Sequence, residues 1–163
     1  MKRILFLAIG FLMVLGLSAC AKEKEEKLEG SLEDILDEIY EKGEYSNDFK
    51  EHTIPELIVI EINDENATNF LGTAIEFEEA IASESTWSTS AYSVCLVRVK
   101  DGVDIEQAKQ DILENVNPFK WICVGVDEDK IIVDNIGDVI ILIMTNYEGE
   151  SIHNAFLSLI DEK

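Results

Sequence analysis

Six consecutive apolar residues, Val139-Ile-Ile-Leu-Ile-Met144, constrain this chain more than any other feature. Successive side chains of an extended segment point to opposite faces, so a run with no polar position has to be covered on both sides. The run is too short to cross a bilayer. It predicts the most buried strand of a sheet, Val139–Thr145. Tyr92–Val99, also apolar on both faces, predicts another central strand. Glu56–Ile62, following Pro55, reads as a strand. So does Thr73–Ser83, where Ile75, Phe77, Glu79 and Ile81 alternate with Ala74, Glu76, Glu78 and Ala80 and leave one face wet. Trp121–Val126 and Lys130–Asp134 read as two further β segments. They are set off by Asp127-Glu128-Asp129 and by Asn135-Ile136-Gly137-Asp138, whose glycine supplies the positive φ of a tight hairpin.

Helical spacing occupies the intervals. Leu28, Leu32, Ile35, Leu36 and Ile39 form one stripe, with Ser31 placed to cap it, Asp34 three positions on, and Gly43 near its end. Asp64 is placed to cap a short helix through Phe70, stopped by Gly72. Asp104, with Gln107, begins a helix whose inward positions are Ile105, Ala108, Ile112 and Val116 and which Pro118 ends. Ile152, Ala155, Phe156, Leu159 and Ile160 mark a last amphipathic helix. The fold class is α+β, a mainly antiparallel sheet with amphipathic helices packed on it, forming a single domain over 31–163. No repeat is visible.

The 163 residues suffice for one compact domain, and 47% apolar content with two prolines and nine glycines excludes a disordered or collagen-like chain. The charge is lopsided: 34 acids against 13 bases, net −21. Binding a phosphate backbone requires clustered Lys and Arg, so nucleic acid is excluded as a partner.

The first residues carry an address. Lys2 and Arg3 precede fourteen residues, Ile4 to Leu17, drawn only from Ile, Leu, Phe, Ala, Met, Val and Gly. This is the layout of a secretory signal, and at about 1.5 Å per residue it falls short of a hydrocarbon core about 30 Å thick. Leu17-Ser18-Ala19-Cys20 then resembles the lipobox of bacterial lipoproteins. The resemblance implies a diacylglyceryl thioether on Cys20 and cleavage before it, so that residues 1–19 are a signal peptide and Cys20 the mature N-terminus. Two acyl chains at about 0.8 kcal/mol per buried methylene anchor firmly where one is marginal. The competing reading is ordinary secretion with cleavage after Ala21, since Ala19-Cys20-Ala21 is also a small-x-small site. Loss of Lys2 and Arg3 would leave 11 bases against 34 acids, net −23. Residues 20–30, from the lipidated cysteine through a run of Lys and Glu, read as a polar tether that keeps the domain beside the outer leaflet.

With the lipobox, the first helix, the Pro55-Glu56-Leu57 strand, the Phe70-Leu71-Gly72 stop and the order strand-strand-helix-strand-strand-helix, the chain resembles the small lipoproteins of Firmicutes that carry a conserved domain of unknown function. The likeness covers most of residues 28–160. It implies a lipid-anchored location on the extracytoplasmic face of the cell membrane and assigns no catalytic residue.

Catalytic and metal signatures are sparse. Asp127, Asp129, Asp134 and Asp138 lie in turns and offer the hard oxygen ligands calcium prefers, without the spacing of an EF-hand. Solvated turn formers are the plainer reading. His52 and His153 lack a ligand partner at zinc spacing and read as surface or boundary residues. Glu76 and Glu78 share a strand face with no cleft to raise either pKa. No nucleophile elbow, phosphate loop or dinucleotide fingerprint occurs, and no cofactor is expected. Cys95 and Cys123 both fall in apolar segments and can both point inward, as free thiols, the favoured reading, or as a disulfide. Trp87 and Tyr92 flank a Ser/Thr-rich link and are candidates for a recognition loop, against the plainer reading of a Trp folded back on the sheet. The preferred function is a non-enzymatic binding domain for a protein or small ligand. The alternatives are a membrane-proximal, calcium-assisted hydrolase and a structural subunit of an envelope complex.

Overall fold

The computed structural model describes residues 27–160. The apolar run forms β5 (Val139–Thr145), buried at every position. It lies between β3 (Tyr92–Val99) and the edge strand β4 (Ile131–Ile136), while β2 (Phe77–Ser85) joins β3 to the other edge, β1 (Leu57–Glu61). The order is β1-β2-β3-β5-β4 and every pairing is antiparallel. The fold is therefore the α+β architecture that alternation and capping predict.

Both faces of the sheet are covered, which is why β3 and β5 contain so few polar residues. On one face Val94, Leu96, Ile141 and Ile143 pack under α1 (Leu32–Lys42) and α4 (Gly149–Leu157). On the other, Cys95, Val97, Ile140 and Leu142 pack under α2 (Ala67–Leu71) and α3 (Ile105–Asn115). Each fully buried Ile, Leu or Val contributes about 1.5–3 kcal/mol. Among the described residues no helix is long and apolar enough to cross a membrane.

The predicted caps of α1 and α3 form. Ser31 Oγ accepts the Asp34 N–H at 3.1 Å while Asp34 Oδ2 accepts the Ser31 N–H at 3.3 Å, so two otherwise orphaned donors of α1 are satisfied reciprocally. Asp104 Oδ1 accepts the Gln107 N–H at 3.1 Å to open α3.

Three local expectations are corrected. The short helix α2 starts at Ala67, not at Asp64, because Asn63 Oδ1 takes the Glu65 and Asn66 N–H groups while Asn66 Oδ1 takes the Asn63 N–H, a turn that delays the helix. β2 begins at Phe77 and continues to Ser85. The register shifts between Phe77 and Glu79, so Glu78 is an extra residue, and Glu76 precedes the strand. Trp121–Val126 is not a strand. Cys123 has φ +63, the segment pairs with no strand, and it is held by Ile122 N–H to Ser88 O at 3.0 Å and Val126 N–H to Pro118 O at 2.9 Å.

Gly72 stops α2 with φ +73. A Cβ there would stand 2.2 Å from the Asn115 carbonyl carbon and oxygen, so this glycine lets the end of α2 touch the end of α3.

The domain takes up the chain at its N-terminal side through Leu28, which is buried in the α1/α4 core. Arg98 donates to Leu28 O at 3.0 Å and to Gly30 O at 2.8 Å, and Lys27 Nζ lies 3.1 Å from Asp138 Oδ2 in the β4–β5 turn. The described chain thus begins beside that turn, at the sheet edge remote from β1. The N-terminal apolar segment Ile4 to Leu17, Ser18-Ala19-Cys20 and Ala21 to Glu26 lie outside the described residues.

Candidate functional site

Antiparallel pairing sends the β2–β3 link, the segment after α3 and the β5–α4 link to one end of the sheet. Besides the bond from Ile122 to Ser88, Asn146 Nδ2 donates to Gly125 O at 3.1 Å and Asn146 Oδ1 accepts the Asp127 N–H at 2.8 Å, tying the last two together. A cleft of about 400 Å³ opens there, with Phe49, Thr53, Ser90, Tyr92, Gly125 and Tyr147 in its wall. Three aromatic side chains from these loops stand in water: Trp87 is 65% exposed, Phe119 69% and Tyr147 80%. Ile122 is exposed with them.

The pair read together in the sequence is separated. Trp87 projects outward and is not folded back on the sheet, whereas Tyr92 is buried in the core. Tyr40 donates its hydroxyl proton to Ser83 Oγ at 2.8 Å, which leaves Tyr92 to donate to Tyr40 at 2.8 Å. Burial pushes the Tyr40 phenol up to about 12 and holds Tyr92 well above its ordinary value, so neither supplies a base or nucleophile near neutrality.

Behind the loops is a polar node that the sequence did not announce. Lys120 Nζ lies 2.6 Å from Glu84 Oε1 and 3.1 Å from Ser93 Oγ, and stands 5.0 Å and 5.1 Å from the ring centroids of Phe70 and Trp121. Ser93 Oγ is in turn 3.6 Å from Cys95 Sγ. A serine beside a lysine is a nucleophile pattern, but this ammonium is already held by a carboxylate and Ser93 is fully buried. Burial pushes the Cys95 thiol up to about 11. The node is structural.

The four turn acids are spread along β4 and its flanks. Asp127 precedes, and Asp129 lies within, the 3₁₀ turn Glu128–Lys130. Asp134 Oδ2 is 2.7 Å from His153 Nε2 and its Oδ1 is 3.9 Å from Lys109 Nζ. Burial raises the Asp134 pKa, but the His153 hydrogen bond, the Asn135 N–H and the neighbouring His153 and Lys109 charges outweigh it and bring the carboxyl below its ordinary value. Asp138 Oδ1 is 3.7 Å from Arg98, at the opposite end of β4 from Asp127. Among the described residues no three His, Cys, Asp or Glu side chains approach closely enough to hold a metal ion. His52 is exposed on the π-helical turn Phe49–Thr53.

The two described thiols are free and differ in setting. Cys95 is buried in β3, while Cys123, expected to be able to point inward, is exposed on its loop. Searches against protein families, curated proteins and solved structures find no match to this chain.

Proposed function

We propose that the chain is a lipid-anchored domain on the extracytoplasmic face of the cell membrane, of the Firmicutes lipoprotein kind, that binds a protein or small ligand without catalysis. The observation that carries this reading is Leu17-Ser18-Ala19-Cys20 at the end of the fourteen-residue apolar segment Ile4 to Leu17, headed by Lys2 and Arg3. Six residues, Ala21 to Glu26, separate Cys20 from the first described residue, a reach of at most about 25 Å when extended. The domain would therefore sit close to the leaflet with its β4–β5 turn near the membrane and its exposed aromatic loops at the far end of the strands. Those loops supply accessible apolar surface and no assembled nucleophile, base or metal cradle, which favours binding over hydrolysis.

Intact mass spectrometry of the mature protein tests the anchor. The expected chain begins at Cys20 and carries a diacylglyceryl group, and Cys20→Ser abolishes both processing at that bond and membrane retention. A mature chain beginning at another residue, or unlipidated, would defeat the reading.

A further inference from the structure

Among the described residues the outer edge of β1 pairs with no strand, a position open to one more. The bonds Ile62 N–H to Ala80 O at 2.9 Å and Thr86 N–H to Glu56 O at 3.1 Å fix the parity of the β1–β2 ladder, so even-numbered residues bond to β2 and Leu57, Val59 and Glu61 turn their backbone groups outward. Two of these outward groups are satisfied internally. The Leu57 N–H bonds to Ile54 O and the Glu61 carbonyl accepts Asn66 Nδ2 at 3.1 Å. Both backbone groups of Val59, the Leu57 carbonyl and the Glu61 N–H remain directed at solvent, and one added strand satisfies all four. At β4, the other edge, the Ile131 and Asn135 N–H groups are likewise satisfied internally, by Glu128 O and by Asp134 Oδ1 at 2.9 Å, but no residue of that strand is exposed. β1 contains no proline, lysine or bulge, and its Ile58 and Val59 are 46% and 48% exposed.

Charge selects the occupant. On the α1 side the edge opens into a groove of about 520 Å³ in which Glu33, Glu61, Asp64 and Glu78 stand beside Val59 and Phe77. None of these four carboxylates has an ion-pair partner among the described residues. On the opposite side Ile58 and Ile60 offer apolar surface. A second copy would bring the same carboxylates together in a chain already at −21, which disfavours self-pairing. We propose that β1 receives an extended segment of a partner protein in which basic residues alternate with β-branched ones, the bases facing the carboxylate groove and the apolar residues covering Ile58 and Ile60. This deepens the reading of a binding domain and rests on it, but not on the lipid anchor.

The test uses the mature protein purified from cells and a short capped peptide of alternating Lys and Val, followed by residue-resolved amide hydrogen exchange at low salt. The peptide is expected to slow exchange at Val59 and Glu61 about tenfold or more. Val59→Pro removes an N–H that does not serve β2, so it is expected to abolish that binding while the domain still melts cooperatively. Should Val59→Pro prove unfolded, Glu33→Lys/Glu61→Lys serves instead and is expected to weaken the peptide at least about tenfold and to favour a Glu/Val peptide. The proposal is overturned if the Glu/Val peptide protects native Val59 equally, if a folded Val59→Pro or the double variant binds the Lys/Val peptide unchanged, or if sedimentation shows a dimer with Val59 already protected before peptide is added. Because exchange at Val59 is read independently of Cys20, failure here and failure of the anchor are distinguishable.

Discussion

The Lys120 ammonium lies 2.6 Å from the Glu84 carboxylate, with side-chain exposures of only 14% and 12%. Removing one partner leaves the other charge poorly solvated. Lys120→Met is expected to lower unfolding stability by about 3 kcal/mol in urea denaturation, and Lys120→Met/Glu84→Leu is expected to recover much of that loss. A single-variant cost near the surface norm of about 0.5 kcal/mol would show that the pair contributes little.

The thiols give a second check. Cys123 is exposed and Cys95 is buried, with its thiol pushed up to about 11. An aromatic disulfide reagent at pH 8 is expected to label Cys123 within minutes and Cys95 only on unfolding. Rapid labelling of Cys95 in the native protein would mean that the α2/α3 face opens far more readily than its packing implies.

Gly72 offers a third. An alanine there would combine φ +73 with a Cβ 2.2 Å from the Asn115 backbone, which cannot yield as a flexible side chain would. Gly72→Ala is expected to cost at least about 2 kcal/mol, whereas Gly102→Ala, with open space around its Cβ, should cost only about the left-handed penalty of 1–2 kcal/mol. Equal melting temperatures for the two variants would contradict the close approach of α2 to α3.

The Asp134–His153 contact at 2.7 Å predicts a pH dependence. The folded carboxyl titrates below its ordinary value, so its stabilisation is complete above the unfolded pKa of about 3.9 and is lost as pH falls through the folded value. Asp134→Asn should therefore be less stable than the native chain at pH 6, by under about 1 kcal/mol since the side chain is 34% exposed, and the gap should narrow as the carboxyl is protonated in acid. A gap that widens on acidification would contradict the assignment.

What the residues disclosed was set by how local the cause was. Val139–Met144 identified itself as the buried centre because covering on both faces removes every polar position, and Ser31 with Asp34 identified the start of α1 because both partners of the capping box lie within four residues. The end of β2 was hidden: Glu84 and Ser85 look like loop residues until Lys120, distant in sequence, supplies the partner of Glu84. Trp121–Val126 misled for the converse reason. Its composition is that of a strand, but Cys123 is in a left-handed conformation and no strand pairs with the segment. The separation of Trp87 from Tyr92 follows from where β3 begins, since Tyr92 is its first residue and already faces the core. The open edge at β1 likewise requires knowing the strand order, which no single segment states.

Both indoles of this chain, Trp87 and Trp121, lie toward the loop end, Trp121 with an ammonium 5.1 Å from its ring, while Tyr40, Tyr45 and Tyr92 belong to the α1/α4 side. Tryptophan emission is accordingly an optical reporter of that end, and tyrosine absorbance, once Tyr147 at the loop end is replaced by Phe, of the helical layer. Following the two colours in one unfolding run would reveal whether the tip of the molecule loosens before its centre.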